Sequence, residues 1–203
     1  SVSAFLLNRS SDLDLYLFGF GLGASEITLH ICGASVREKE FWKYYGPKIQ
    51  GKTNIINYNF VNIESQAFVD IMSACAFVVH PSISEGGAPS VLNVVANAGL
   101  IPICSKSCGL DLPKDGSVVV GEVTYEAFES AIMDAMKWSE DEMKAKAQCA
   151  YEYVREHYTL DNYRTNMSKI LPFQNFVDVI SLHLLMAQNS YQTHLIYYYS
   201  YFY

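Results

Sequence analysis

Short apolar, β-branched runs alternate along this chain with longer stretches in which apolar positions recur every three or four residues. The runs at 2–7, 27–32 (ITLHIC), 53–58 (TNIINY), 76–80 (AFVVH), 101–104 and 117–120 read as strands. Each is short, nearly all apolar and bounded by Gly, Pro or polar clusters, as in strands buried on both faces. The stretches at 12–22, 36–45, 65–75, 90–98, 126–138, 140–157 and 160–171 carry helical periodicity. The pair Gly46-Pro47 is expected to stop the helix at 36–45, since proline removes a donor and crowds the preceding turn. Strands alternating with helices of about ten residues imply βαβ units. These build an α/β, Rossmann-like, doubly wound parallel sheet of about six strands, followed by C-terminal helices.

In such sheets ligands sit beyond the carboxyl ends of the strands. The loops to search therefore follow Leu7, Cys32, Tyr58, His80 and Cys104. The fourth is the richest: His80-Pro81-Ser82-Ile83-Ser84-Glu85-Gly86-Gly87-Ala88-Pro89-Ser90-Val91-Leu92-Asn93. It runs from a strand through a glycine-rich loop into a helix. Pro89 suits the first helical position, where a missing N–H is harmless. Gly86 and Gly87 permit positive φ and close approach of a ligand to the backbone. The N–H groups of Ala88, Ser90 and Val91 are expected to be free and aimed at the loop. With the helix dipole they form an anion site suited to a diphosphate. Glu85, at the strand end, can accept hydrogen bonds from ligand hydroxyls. The plainer reading of the same residues is a turn and a helix cap.

Composition narrows the partners. The chain has 203 residues, half of them apolar, and a formal net charge of -7. Without a basic stripe, binding along a nucleic-acid backbone is not expected. Five cysteines, an odd number and mostly in apolar segments, read as buried reduced thiols. The three-residue gap between Cys104 and Cys108 signals neither a zinc knuckle nor a redox pair. No run is long and apolar enough to span a bilayer. His30 reads as structural, and His157, His183 and His194 have no partners at metal-ligand spacing, so no metal site and no cofactor are expected. Gly19, Gly21 and Gly23 follow a helical stretch rather than a strand, which argues against a dinucleotide fingerprint. No G-x-S-x-G elbow occurs. The tail 172–203, ending in an aromatic run, follows no pattern of the preceding 171 residues.

The run PSISEGGAPSVLNVVANAGLIPI resembles the donor-site signature of glycosyltransferase family 4, in which Pro-Ser-x-x-Glu-Gly leads into a helix and then a Gly-x-Pro turn. The flanking HICG, NIINYNFVNIES and SEDEMKAKAQCAYEYVREHYTLDNY fit in the same order, so the likeness covers residues 4–171. The resemblance implies the nucleotide-sugar-binding half of a retaining GT-B enzyme, with a UDP- or GDP-linked donor. It also implies a cytoplasmic setting, cell-envelope polysaccharide synthesis and an acceptor-binding half that precedes Ser1, where the chain looks cut. Peripheral membrane association is compatible with it. The family's two donor-facing carboxylates stand eight positions apart; the first matches Glu85, and the second falls on Asn93, which keeps hydrogen bonding to a ribose but not the charge. The resemblance puts Gly86, Gly87, Ala88, Pro89, Ser90 and Val91 against the diphosphate. It adds Asp111 as a bordering residue; His80, by its place at the end of the fourth strand, reads as a core or capping histidine or as a pocket contact, and Ser82 beside it is a further candidate. Where the family has Lys-Gly to neutralise the leaving group, this chain has Ser11-Asp12; Arg9, two residues earlier, and Lys106, after the fifth strand, are the candidate stand-ins, neither at the family's place. A non-catalytic, degenerate nucleotide-sugar-binding domain is the second reading. A receiver-like domain is disfavoured, because no acidic cluster ends the first strand.

Overall fold

The structure, a computed structural model, describes residues 2–7, 27–32 and 39–170. In chain order they form β1 (Val2–Leu7), β2 (Ile27–Cys32), α1 (Lys39–Ile49), β3 (Ile55–Asn59), α2 (Gln66–Ser73), β4 (Phe77–His80), α3 (Pro89–Ala98) and β5 (Ile101–Ser105). A 3₁₀ turn (Lys106–Cys108), β6 (Val118–Val120), α4 (Tyr125–Ala135), α5 (Glu140–His157) and α6 (Leu160–Ile170) follow. The expected helix at 12–22, the start of the one at 36–45 and the tail from 172 lie outside the described residues.

The six strands form one sheet in the order β3-β2-β1-β4-β5-β6. Every pairing is parallel. This is the doubly wound Rossmann-like order, in which chain direction across the sheet reverses between β1 and β4. Those two strands are neighbours, paired Ala4↔Phe77 through Leu6↔Val79. The loop after β4 therefore opens at the switch point, where ligands of such sheets bind.

Burial explains why these segments are strands. Every residue of β4 and β5 is buried, as a central strand covered on both faces requires. Ile31, Phe77, Val79, Ile101 and Ile103 meet Phe128, Ile132 and Ala135 of α4 in one core. Local caps set the helix ends. The Ser65 and Thr124 hydroxyls accept from Phe68 and Ala127 at the starts of α2 and α4. α4 stops short of the expected Trp138 because Ser139 opens α5 with a capping box. The Ser139 N–H donates to Glu142 Oε2 at 2.7 Å, and the Glu142 N–H to Ser139 Oγ at 3.2 Å.

One expectation needs correcting. Gly46-Pro47 does not end α1, which runs through Pro47 to Ile49. The Gln50 N–H still reaches the Gly46 carbonyl at 3.0 Å, so the proline removes one donor without halting the turn, and the chain leaves at Gly51 (φ 81°).

The chain divides into two units, Ser1–Val154 and Arg155–Tyr203. In the described part of the second, the first turn of α6 is held by the Asn162 N–H donating to Thr159 Oγ1 at 3.1 Å. Asn162 Nδ2 donates to the Glu156 carbonyl at 2.7 Å.

Candidate functional site

β4 ends at His80, and the chain crosses the carboxyl edge of the sheet as a loop, 81–88, before entering α3 at Pro89. Pro89 takes the first turn of the helix, as expected. The residue before it, Ala88, is the N-cap in a left-handed conformation (φ 32°, ψ 60°), with no side-chain cap bond. A left-handed alanine carries a Cβ–carbonyl clash of about 1 kcal/mol or more. It is held there by burial, since Ala88 is 1% exposed. The amino end of α3 thus lacks the side-chain acceptor that α2 and α4 each have.

The fate of each loop amide follows. Glu85 donates to the Ser107 carbonyl at 3.0 Å. Val91 donates to the Ala88 carbonyl at 3.0 Å in a tight first turn. The expectation of a free Val91 amide is therefore corrected: the left-handed cap swings the Ala88 carbonyl within its reach. Among the described residues, no backbone or side-chain acceptor takes the N–H of Gly86, Gly87, Ala88 or Ser90. Ala88 is buried, while Gly86 is exposed and Gly87 and Ser90 are half-buried. Of the two glycines only Gly87 has positive φ (152°), so the expectation for Gly86 is corrected as well.

Glu85 is half-buried beside this cluster, and Asn93 is half-buried in the second turn of α3. His80 and Ser82 are 3% and 2% exposed, so neither offers a ligand appreciable surface. Their burial places them in the frame rather than at the rim. Lys106 is exposed in the 3₁₀ turn that leaves β5, and Lys114 is exposed further along the same connection. Asp111, exposed on the same connection, accepts from the Tyr153 hydroxyl at 3.3 Å. Arg9, Ser11 and Asp12 lie outside the described residues. No cluster of three or more His, Cys, Asp or Glu that could hold a metal occurs among the described residues. No described helix is long and apolar enough to cross a membrane.

The connection after β5 is a feature that sequence reasoning missed. β4 and β5 pair His80↔Cys104, so their loops leave the sheet side by side. Ser105, fully buried, donates its hydroxyl to the Ser82 carbonyl at 2.5 Å. Gly109 (φ 69°) packs its bare Cα against residues 85–87. The sequence signal was present in Cys108-Gly109, a glycine just after a turn, but nothing local says what that glycine faces.

The same turn brings Cys104 and Cys108 together despite their three-residue spacing. Both are buried free thiols. The Cys104 S–H donates to the Cys108 sulfur, which brings the Cys108 pKa down to about 7, against the opposing effects of burial and the Glu85 carboxylate. Cys104 is pushed well above the ordinary 9.0 by the same bond and by complete burial. Burial lifts Cys32 and Cys75 to about 12. Folding thus favours the Cys108 thiolate. That contribution to stability is complete above the ordinary thiol value and is lost as pH falls through about 7. A rise in thiolate absorbance centred near pH 7 is expected, absent in Cys108→Ser and moved to higher pH in Cys104→Ala, which removes the donor. His30 stacks on Tyr58 with its Nδ1 3.1 Å from the hydroxyl, a structural contact between β2 and β3.

No family model and no curated protein sequence matches this chain. Solved structures do. The chain is similar to HepE of Anabaena, solved in complex with UDP-glucose, at TM-score 0.67 and 13% identity over 84% of this chain and 48% of that one. It is similar to sucrose-phosphate synthase of Thermosynechococcus elongatus at TM-score 0.68 and 14% identity, over 83% of this chain and 44% of the other. It also matches the C-terminal domain of a group 1 family glycosyl transferase, LpcC, of Francisella tularensis at TM-score 0.58 and 16% identity, over 78% of this chain and 87% of that domain. These neighbours are GT-B glycosyltransferases, and at such identities the likeness establishes the Rossmann-like fold. The chain spans about half the length of the first two.

Proposed function

We propose that this chain is the donor-binding half of a glycosyltransferase of the family 4 kind, taking a UDP- or GDP-linked sugar and transferring it with retention of configuration. The observation that carries this reading is the run of open amides at Gly86, Gly87 and Ser90. They stand where a doubly wound sheet binds ligands, at a helix end with no side-chain cap. A diphosphate satisfies both the orphan N–H groups and the helix dipole. Glu85 then accepts from hydroxyls of the donor sugar, and Asn93 hydrogen-bonds the ribose. Lys106 supplies positive charge toward the leaving diphosphate, a role that Arg9 shares on the connection after β1. Asp111 borders the sugar. The acceptor and any proton transfer come from a second half outside these 203 residues, in a cytoplasmic enzyme of cell-envelope polysaccharide synthesis.

The HepE and LpcC likenesses support the reading at the level of fold, and the motif supports it at the level of the site. The position of Asn93 favours a second reading, a domain that binds nucleotide sugars without turnover, since a neutral amide replaces the family's second carboxylate. Calorimetric titration with UDP and GDP tests the first step of both. Saturable binding of one nucleotide is expected, with Asn93→Ala weakening it about three- to tenfold through loss of one or two neutral hydrogen bonds. Absence of binding for both nucleotides removes the donor-site reading. Binding without transfer, once the second half is restored, selects the non-catalytic alternative.

A further inference from the structure

We propose that Gly109, braced by Ser105, is the positioning residue of the donor loop: it sets the direction in which the Glu85–Gly86 peptide presents its N–H. This inference rests on the donor-site reading above and names residues outside the loop itself.

Three contacts join the connection after β5 to the loop after β4, and each is to main chain. The Ser105 hydroxyl donates to the Ser82 carbonyl at 2.5 Å. The Ser107 carbonyl accepts from the Glu85 N–H at 3.0 Å. Gly109 lies so close that a Cβ there would stand 2.6 Å from the Glu85 carbonyl oxygen, 3.0 Å from the Gly87 nitrogen and 3.2 Å from the Gly86 carbonyl carbon. The first two contacts fix the strand side of the loop. The third fixes the Glu85 carbonyl, which faces Gly109.

The consequence comes from peptide geometry. The peptides are trans, and in a planar trans peptide the C=O and the following N–H point in opposite directions. With the Glu85 carbonyl turned toward Gly109, the Gly86 N–H points away from it, and Gly86 is exposed. Gly109 thus determines which way a diphosphate donor group points without touching the diphosphate.

The other glycines separate this role from ordinary turn chemistry. Gly51 and Gly99 also have positive φ (81° and 65°), yet a Cβ at either meets nothing within 4 Å. They need a left-handed backbone only. Gly116 is tightly packed too, but against the Ala150 backbone of α5, remote from the loop. Gly109 alone among these combines positive φ with a clash against residues 85–87.

The test compares the 203-residue chain with Gly109→Ala, Ser105→Ala and, as a control for positive φ alone, Gly51→Ala. UDP is titrated into each by calorimetry, and backbone amide resonances are compared without nucleotide. Gly109→Ala is expected to bind UDP at least about tenfold more weakly, since misdirecting one charge-assisted donor forfeits most of its contribution. Ser105→Ala is expected to lose about threefold, and Gly51→Ala to bind as the parent does. The Glu85 and Gly86 amide resonances shift in Gly109→Ala before any nucleotide is added. A folded Gly109→Ala with unshifted Gly86 resonance, or with parental UDP affinity, overturns the proposal. If Gly109→Ala does not fold, parental affinity in Ser105→Ala overturns it instead. Failure of the parent itself to bind UDP or GDP is a different result and defeats the donor-site reading, while the ligand-free resonance comparison still decides the geometry.

Discussion

Phe77→Ala is expected to lower the unfolding free energy by about 3–5 kcal/mol, a large part of the roughly 5–15 kcal/mol available to a domain of this kind. Phe77 opens β4 near the middle of the sheet, paired with Ala4 on one side and Ile101 on the other. Its side chain is fully buried, and its ring centre lies 6.2 Å from that of Trp138 in a tilted arrangement. Truncation leaves a cavity bounded by neighbouring strands and by the residues ending α4, none of which can close it without breaking pairings. Urea denaturation measures the effect: the midpoint should fall with the slope unchanged. Phe60→Ala is the control, since Phe60 is 76% exposed and its loss should stay within about 0.5 kcal/mol. A Phe77→Ala loss below about 1.5 kcal/mol contradicts the core as described, because that is the range of volume-conserving swaps.

Glu85→Ala is expected to weaken binding of a sugar nucleotide by about ten- to a hundredfold while leaving UDP itself nearly unaffected. Hydrogen bonds to a charged acceptor contribute about 1.5–3 kcal/mol, which corresponds to that range. The separation between the two ligands is the informative part. The Glu85 main chain, tied to Ser107, holds the loop, and that bond survives truncation of the side chain. On the proposed reading the carboxylate meets the donor sugar rather than the diphosphate. Titration with UDP-glucose and UDP in parallel reads the difference. Equal losses for both ligands indicate that Glu85 acts by holding the loop rather than by meeting the sugar, and no loss for either removes it from the site.

How much of this was legible in the sequence depends on how local the signal is. The strands and helices of the described residues follow from apolar periodicity, because burial on both faces of a parallel sheet leaves an uninterrupted mark in runs such as AFVVH and IPICS. The position of the candidate loop follows from the same pattern, since a glycine-rich loop after the fourth strand must emerge at the carboxyl edge. The end of α1 was misjudged because a proline one turn from a helix end removes one bond and no more. The Val91 amide escapes a local reading for a different reason. Whether Val91 N–H is free depends on where the Ala88 carbonyl points, and that depends on a left-handed alanine no propensity favours. Burial, not local preference, holds Ala88 there. The brace at Ser105 and Gly109 was invisible for the same reason, being a meeting of two loops brought together by the pairing of β4 with β5.

The central claim is that a diphosphate is held by open amides at the mouth of the sheet. It is tested most directly by amide resonances recorded during UDP titration. The account predicts progressive shifts at Gly86, Gly87 and Ser90, with the hydrogen-bonded amides of Gly99 and Gly116 unmoved. Saturation with those three amides stationary, and shifts gathered on another face of the domain, would contradict it.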